Sequence, residues 1–396
     1  MTSPHHDPLA WIDAELEELE ARGLARTRTL RESPQAAELR VASQPLVNFG
    51  SNDYLGLAHD ARLASAAARA AHDEGCGAGA SPLVTGHGAA LAALEQVLAE
   101  FEGTERALVF SSGYAANVGA ITALAAQGDA IYADQKNHAS MIDGCRLSRA
   151  DVHVYPHRDT RALEALLASS GSYRRRMIAT ESIFSMDGDR APLEELAELA
   201  ERFDCMLLVD EAHATGVFGP QGRGLCERLG VEDRVHVRIG TLSKALGCAG
   251  GFVVGEARLT EWLVNRARAY VYSTALPPTT CAAARAALAI VHADPHMRQK
   301  LLERADSLRE RLQTQGWELG PSSSQILPII LGEPRAATHL ARQLRDFGLL
   351  VPAIRPPSVP PGESLLRVSL TAAHTEAMIE RLVEALDRVA IRAAGR

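Results

Sequence analysis

Two runs of residues, CMLLVDEAHATG (205–216) and VHVRIGTLSKALG (235–247), decide how this chain is read. In each, an apolar run ends in a polar turn with ionisable groups: Asp210 and His213 in the first, Lys244 in the second. A strand that is apolar without alternation is buried on both faces, which points to a parallel sheet covered by helices. The polar tips then lie at the carboxyl edge, where open α/β sheets bind ligands. One strand–helix–strand crossover separates Asp210 from Lys244, so both are expected in one pocket.

Outward from this pair the same grammar repeats. RALVF (106–110), AIYAD (130–134), DVHVY (151–155), RMIATES (176–182) and GFVVG (251–255) read as further buried strands, with helical patterns such as LEELAELAERF (193–203) between them. After Pro277-Pro278 a long helical stretch (278–315) is expected, then strands ILPIILG (326–332) and LLRVSL (365–370) around a helix near 334–347, and a closing helix over 375–392. Leu9, Ile12, Leu16 and Leu19 predict an amphipathic helix within 9–31, packed with that last part. The fold class is α/β. Residues 51–285 form a large domain with a mostly parallel, seven-stranded sheet covered by helices. Residues 286–396 form a smaller α+β domain, joined by the helix and strand of 1–50.

Composition narrows the function. The 396 residues are 46% apolar and 23% charged, as in ordinary globular enzymes. Lys+Arg 41 against Asp+Glu 49 leaves a net charge of −8, which argues against a nucleic-acid partner. The six cysteines are scattered without a CxxC, and the acidic start lacks an apolar leader core, so a cytoplasmic location is expected. The charge-free stretch 107–128 contains Ser111, Ser112, Gly113 and Asn117 and reads as strand, turn and helix, not as a membrane span. GCGAGA (75–80) follows a helical segment where a dinucleotide fingerprint needs a strand. No histidine spacing suggests a metal site.

A buried Asp and a Lys on neighbouring strand tips suit pyridoxal phosphate, whose aldehyde takes the lysine amine and whose ring nitrogen needs an acid. The competing reading is a structural Asp210–Lys244 ion pair. Ser111-Ser112-Gly113-Tyr114, between a strand and a helix, would offer backbone N–H groups to a phosphate. His138 opens another helix after a strand, where an imidazole can stack on an aromatic ring.

The motifs NFGSNDYLGL (48–57), SSGYAAN (111–117), NHAS (137–140), ESIFSMDGD (181–189), VDEAHATG, TLSKALG, YSTALPP (272–278) and AIRPPSVPPGESLLRVSLTAAH (353–374) together resemble the α-oxoamine synthases, fold-type-I pyridoxal-phosphate enzymes. Within that family, AIRPPSVP and GASPLVTGHG (79–88) are most similar to the branch that condenses L-alanine with a pimeloyl thioester. The carrier is coenzyme A (pimeloyl-CoA) or acyl carrier protein. The resemblance implies Lys244 as the cofactor-bearing lysine, Asp210 as partner of the ring nitrogen, His213 and Ser185 near the ring oxygen, and His138 stacked over the ring. It also implies Gly113, Tyr114 and Thr241 at the phosphate, with Ser273 and Thr274 reaching the other subunit of a homodimer. Arg355 and Asn52 would hold the amino-acid carboxylate, and Ser358 and Arg26 the acyl substrate. Alternatives are another acyl-transferring relative, such as a glycine C-acetyltransferase, and a non-catalytic protein with the same fold.

Overall fold

A computed structural model describes residues 7–394; residues 1–6 and 395–396, parts of the expected terminal units, lie outside the described residues. Helix α1 (Trp11–Ala21) is shorter than the expected 9–31. The apolar spacing runs on past Ala21, but Gly23 takes a left-handed backbone (φ 67) and turns the chain away. None of the residues in α1 is buried. Its end nonetheless touches the C-terminal part, where Arg335 donates to the Ala21 carbonyl at 3.2 Å.

Strands β1 (Glu38–Val41) and β2 (Gln44–Asn48) form a hairpin. Helices α2 (Ala61–Glu74) and α3 (Ala89–Glu102) lead into the large sheet. That sheet comprises β3 (Arg106–Phe110), β4 (Ala130–Asp134), β5 (Asp151–Tyr155), β6 (Arg176–Glu181), β7 (Met206–Asp210), β8 (Val237–Thr241) and β9 (Gly251–Gly255). Their spatial order is β3-β9-β8-β7-β6-β4-β5, parallel except for β9. Each lies on a run read from the sequence, but β5 is not buried as expected: it is the edge strand of the sheet, and Val152 and Val154 point to the open side. Helices α4 (Gly113–Leu124) and α5 (Ala139–Ser148) cover one face through Ile121, Met141 and Cys145. α3 and the helices at 160–169, 193–202 and 278–293 cover the other. The charge-free stretch is thus β3, a turn and α4. Among the described residues no helix is long and apolar enough to cross a membrane.

The expected 278–315 helix is two, Pro278–Ala293 and His296–Thr314, because Asp294-Pro295 interrupts it. Proline lacks the N–H and blocks continuation of the preceding turn. Strands β10 (Ile326–Gly332), β11 (Leu349–Leu350), β12 (Ala353–Ile354) and β13 (Ser364–Ser369) follow. β10, β13 and β12 form an antiparallel sheet, while β11 pairs in parallel with β2.

Candidate active site

The tips of β6, β7 and β8 lie side by side, with Glu181 opposite Asp210 and Asp210 opposite Ile239. Lys244 sits in the turn after β8. Gly247 closes that turn, its N–H donating to the Lys244 carbonyl at 2.8 Å. A Cβ on Gly247 would fall 2.5 Å from the Ala58 nitrogen, so only glycine fits there.

Lys244 Nζ meets His213 Nε2 at 2.8 Å, and His213 Nδ1 meets the Tyr54 hydroxyl at 2.6 Å. Asp210 has other partners: its Oδ1 accepts from Ala212 N–H at 2.8 Å and its Oδ2 from Asn117 Nδ2 at 2.6 Å. The lysine and the aspartate therefore do not form the ion pair of the competing reading. Burial pushes the Lys244 ammonium down to about 8, with Asp210 and Glu181 opposing and Arg367 assisting the shift. Burial, then the charges of Lys244 and Arg367, holds His213 well below the usual imidazole range, so it stands neutral beside the amine. Glu181 is buried, with Oε1 lacking any partner. Burial and the neighbouring Asp210 keep its carboxyl well above the usual range.

His138 caps α5, its ring accepting from the Ser140 N–H. Asn117, one turn into α4, also donates to Ser140 Oγ at 3.0 Å, which meets His138 Nδ1 at 2.7 Å. At the start of α4, Ser112 Oγ accepts from Ala115 N–H and the Ser112 carbonyl from Ala116 N–H. The N–H groups of Gly113 and Tyr114 keep no protein acceptor among the described residues. They are free for an anion, at the positive end of a 12-residue helix. Thr241 lies against this cradle, 3.4 Å from where a Cβ on Gly113 would stand. Gly251 admits the approach from the sheet, since its own Cβ would fall 2.5 Å from the Gly113 nitrogen. Amine, carboxylate and anion cradle are the three groups that pyridoxal phosphate needs, and they converge here.

Other sequence-predicted residues divide. Asn52 Oδ1 accepts from Arg367 Nη1 at 2.9 Å, and the Ser185 carbonyl accepts from Arg367 Nε at 2.6 Å, which joins both to the Tyr54–His213 chain. Arg26 and Ser358 meet at 3.1 Å on the surface, although 332 residues separate them. Arg355 is turned to the N-terminal segment, where its guanidinium donates to the carbonyls of Gly23 and Ala25. Ser273 and Thr274 follow a short helix (Arg268–Val271), the first half-buried and the second exposed. Arg367, Asn117, Tyr54 and Glu181 were not singled out from the sequence. Arg367 carried a signal: a charge between Leu366 and Val368 in an apolar strand. Asn117 lies four residues after Gly113, hence on the same helix face.

A family model described as aminotransferase class I and II matches residues 44–386. This chain belongs to that family. The 8-amino-7-oxononanoate synthase of Anaeromyxobacter dehalogenans is 50% identical over 381 residues, covering 96% of each chain. That of Aromatoleum aromaticum is 47% identical over 378 residues, 96% of this chain and 98% of its own. Among solved structures, a serine palmitoyltransferase from S. paucimobilis with bound PLP superposes with a TM-score of 0.93 at 32% identity, covering 98% of this chain and all of that one. An 8-amino-7-oxononanoate synthase from Francisella tularensis gives 0.76 at 28%, covering 88% and 99%. The chain thus stands with the 8-amino-7-oxononanoate synthases, as a fold-type-I enzyme with pyridoxal phosphate as its cofactor.

Proposed function

We propose that this enzyme condenses L-alanine with a pimeloyl thioester, on coenzyme A or acyl carrier protein, giving 8-amino-7-oxononanoate, carbon dioxide and the free thiol, as in biotin synthesis. The observation that carries the alanine half is Arg367. Its guanidinium is buried, and every partner it has is neutral: the Ser185 carbonyl, Asn52, Ser369 and Tyr54. A buried cation without a counter-ion is costly, and a bound carboxylate removes that cost. Four of its five N–H groups are used in those contacts, so it keeps one for the substrate.

When bound, pyridoxal phosphate supplies a ring that accepts the electrons released at the amino-acid α-carbon. Lys244, Asp210, Gly113, Tyr114, Thr241, His213 and Ser185 would hold it. Lys244 Nζ, with its lowered proton affinity, takes the α-proton and returns it at the product stage. His213 receives Lys244's hydrogen bond and keeps the amine aimed inward. Asp210, fixed by Ala212 and Asn117, would hold the ring nitrogen in its protonated form. Arg355 holds the N-terminal segment through the Gly23 carbonyl, and Arg26 of that segment stands beside Ser358 for the acyl substrate. The working unit is a cytoplasmic homodimer in which Ser273 and Thr274 reach the other subunit's phosphate. Its chain divides into 51–285 and a smaller unit of 1–50 with 286–396.

Mass spectrometry of the product from alanine and pimeloyl thioester tests the reading. Glycine or serine, with shorter or longer acyl thioesters, should give much less product. Preferred turnover of glycine with an acetyl thioester would transfer the enzyme to the glycine C-acetyltransferases.

A further inference from the structure

We infer that Ser140, itself held by Asn117, fixes His138 as the tautomer with its proton on Nε2, so that His138 faces the reaction as a hydrogen-bond donor and not as a base. The inference deepens the proposed function and rests on it for the identity of the reaction.

The argument starts from Asn117, which is buried between Asp210 and Ser140. An amide offers two hydrogens on nitrogen and only lone pairs on oxygen. Turning the amide over would set Oδ1 against the Asp210 carboxylate at the observed 2.6 Å, acceptor against acceptor, so Nδ2 must face Asp210. The same nitrogen spends its second hydrogen on Ser140 Oγ at 3.0 Å. Ser140 is fully buried, and its hydroxyl, which accepts from Asn117 and keeps its own hydrogen to donate, lies 2.7 Å from His138 Nδ1. The Ser140 backbone N–H points at the same nitrogen from 3.3 Å. A ring nitrogen that receives two donors carries its lone pair there, so the neutral ring holds its proton on Nε2. Nε2 has no protein partner among the described residues. It can donate to an oxygen that gains negative charge, such as a thioester carbonyl, but cannot take a proton. Abstraction of the α-proton is then left to Lys244 alone. Asn117 and Ser140 are positioning residues that act through His138.

The test uses the holoenzyme carrying nitrogen-15-labelled histidine, with the His138 resonances assigned by their loss in His138→Gln. Wild-type protein should show a bare Nδ1 and a protonated Nε2. In Ser140→Ala the two tautomers should mix, and kcat should fall about tenfold, the worth of one hydrogen bond, while cofactor affinity and the KM for alanine hold. Ser140→Thr, which keeps the hydroxyl, should restore both readouts. A protonated Nδ1 in the wild type overturns the inference, as does an unchanged spectrum in Ser140→Ala. The wild-type spectrum decides even if the variant fails to fold. It is also read independently of the product assay, so a different substrate would not disturb it.

Discussion

Two clusters of Asp, His and Lys or Arg sit at the carboxyl edge of the same sheet, and they are wired in opposite ways. In the first, at β4 and the turns after β5 and β6, His157 Nδ1 meets Asp134 at 2.8 Å and Nε2 meets Asp189 at 3.0 Å. Arg158 reaches Asp189 at 3.0 Å, and Lys136 reaches Asp187 at 3.1 Å and Glu363 at 3.3 Å. Each carboxylate has its cation. Although His157, Asp187 and Asp189 converge as metal ligands would, both ring nitrogens already serve as donors to carboxylates. In the second cluster Asp210, Lys244 and Arg367 are each satisfied by neutral groups, and no charge there meets its opposite directly. Saturated charges hold a fold; charges kept apart by His213 and Asn117 remain available to a ligand.

Mutations can break that contrast. Lys244→Ala should have the largest effect, lowering turnover by about 10⁴-fold and removing the absorbance of lysine-bound cofactor. In the wild type, the rate at which apoprotein captures cofactor should climb with pH and level off above about 8, as the Lys244 amine loses its proton. A rate flat across that range would place the amine's titration elsewhere. Asp210→Ala comes next, with turnover down about 10²–10³-fold and weaker cofactor retention in dialysis. Near-normal kinetics would remove Asp210 from the chemistry.

Arg367→Ala should raise the alanine concentration for half-saturation by about 10–100-fold, from loss of a charge-assisted contact, while cofactor still binds. Arg355→Ala should shift the thioester response more than the alanine response; the reverse pattern in titrations of both substrates would give the carboxylate to Arg355. His157→Gln belongs to the saturated cluster and should change stability only, by about 1–3 kcal/mol. Burial lowers the His157 pKa, but Asp134 and Asp189 more than reverse this and raise it to about 9. With the folded value above the unfolded one of about 6.5, the stabilisation is complete below that pH. It fades as pH rises through about 9. Denaturation of both proteins across this range should show their difference closing; a constant gap would mean His157 is not charged in the fold.

Much of this was legible in the sequence because a strand buried on both faces writes itself as a plain apolar run. Six of the seven sheet strands, Asp210 at one tip and Lys244 after the next follow from that; β5, at the sheet edge, alternates and leaves Val152 and Val154 exposed. Local signals also placed the turn at Gly113 and the capping position of His138. The sequence pattern overran wherever a break needed backbone information: α1 stops at Ala21 because of Gly23, and Asp294-Pro295 splits a helix whose apolar spacing continues across it. Arg367 escaped notice because its role exists only where β13 meets Asn52, 315 residues away. Asn117 likewise acquires meaning from Asp210 and Ser140, which belong to separate strand–helix units.

The pairing of β2 with β11, Val47 beside Leu349, has a consequence for synthesis. During translation the β1–β2 hairpin leaves the ribosome early, but its third strand is made roughly 300 residues later, and closing so long a loop costs entropy. The hairpin thus completes its sheet only after Leu349 has been made. A nascent chain halted before Leu349 should expose the free edge of β2 to proteases and chaperones, while the completed chain shields it.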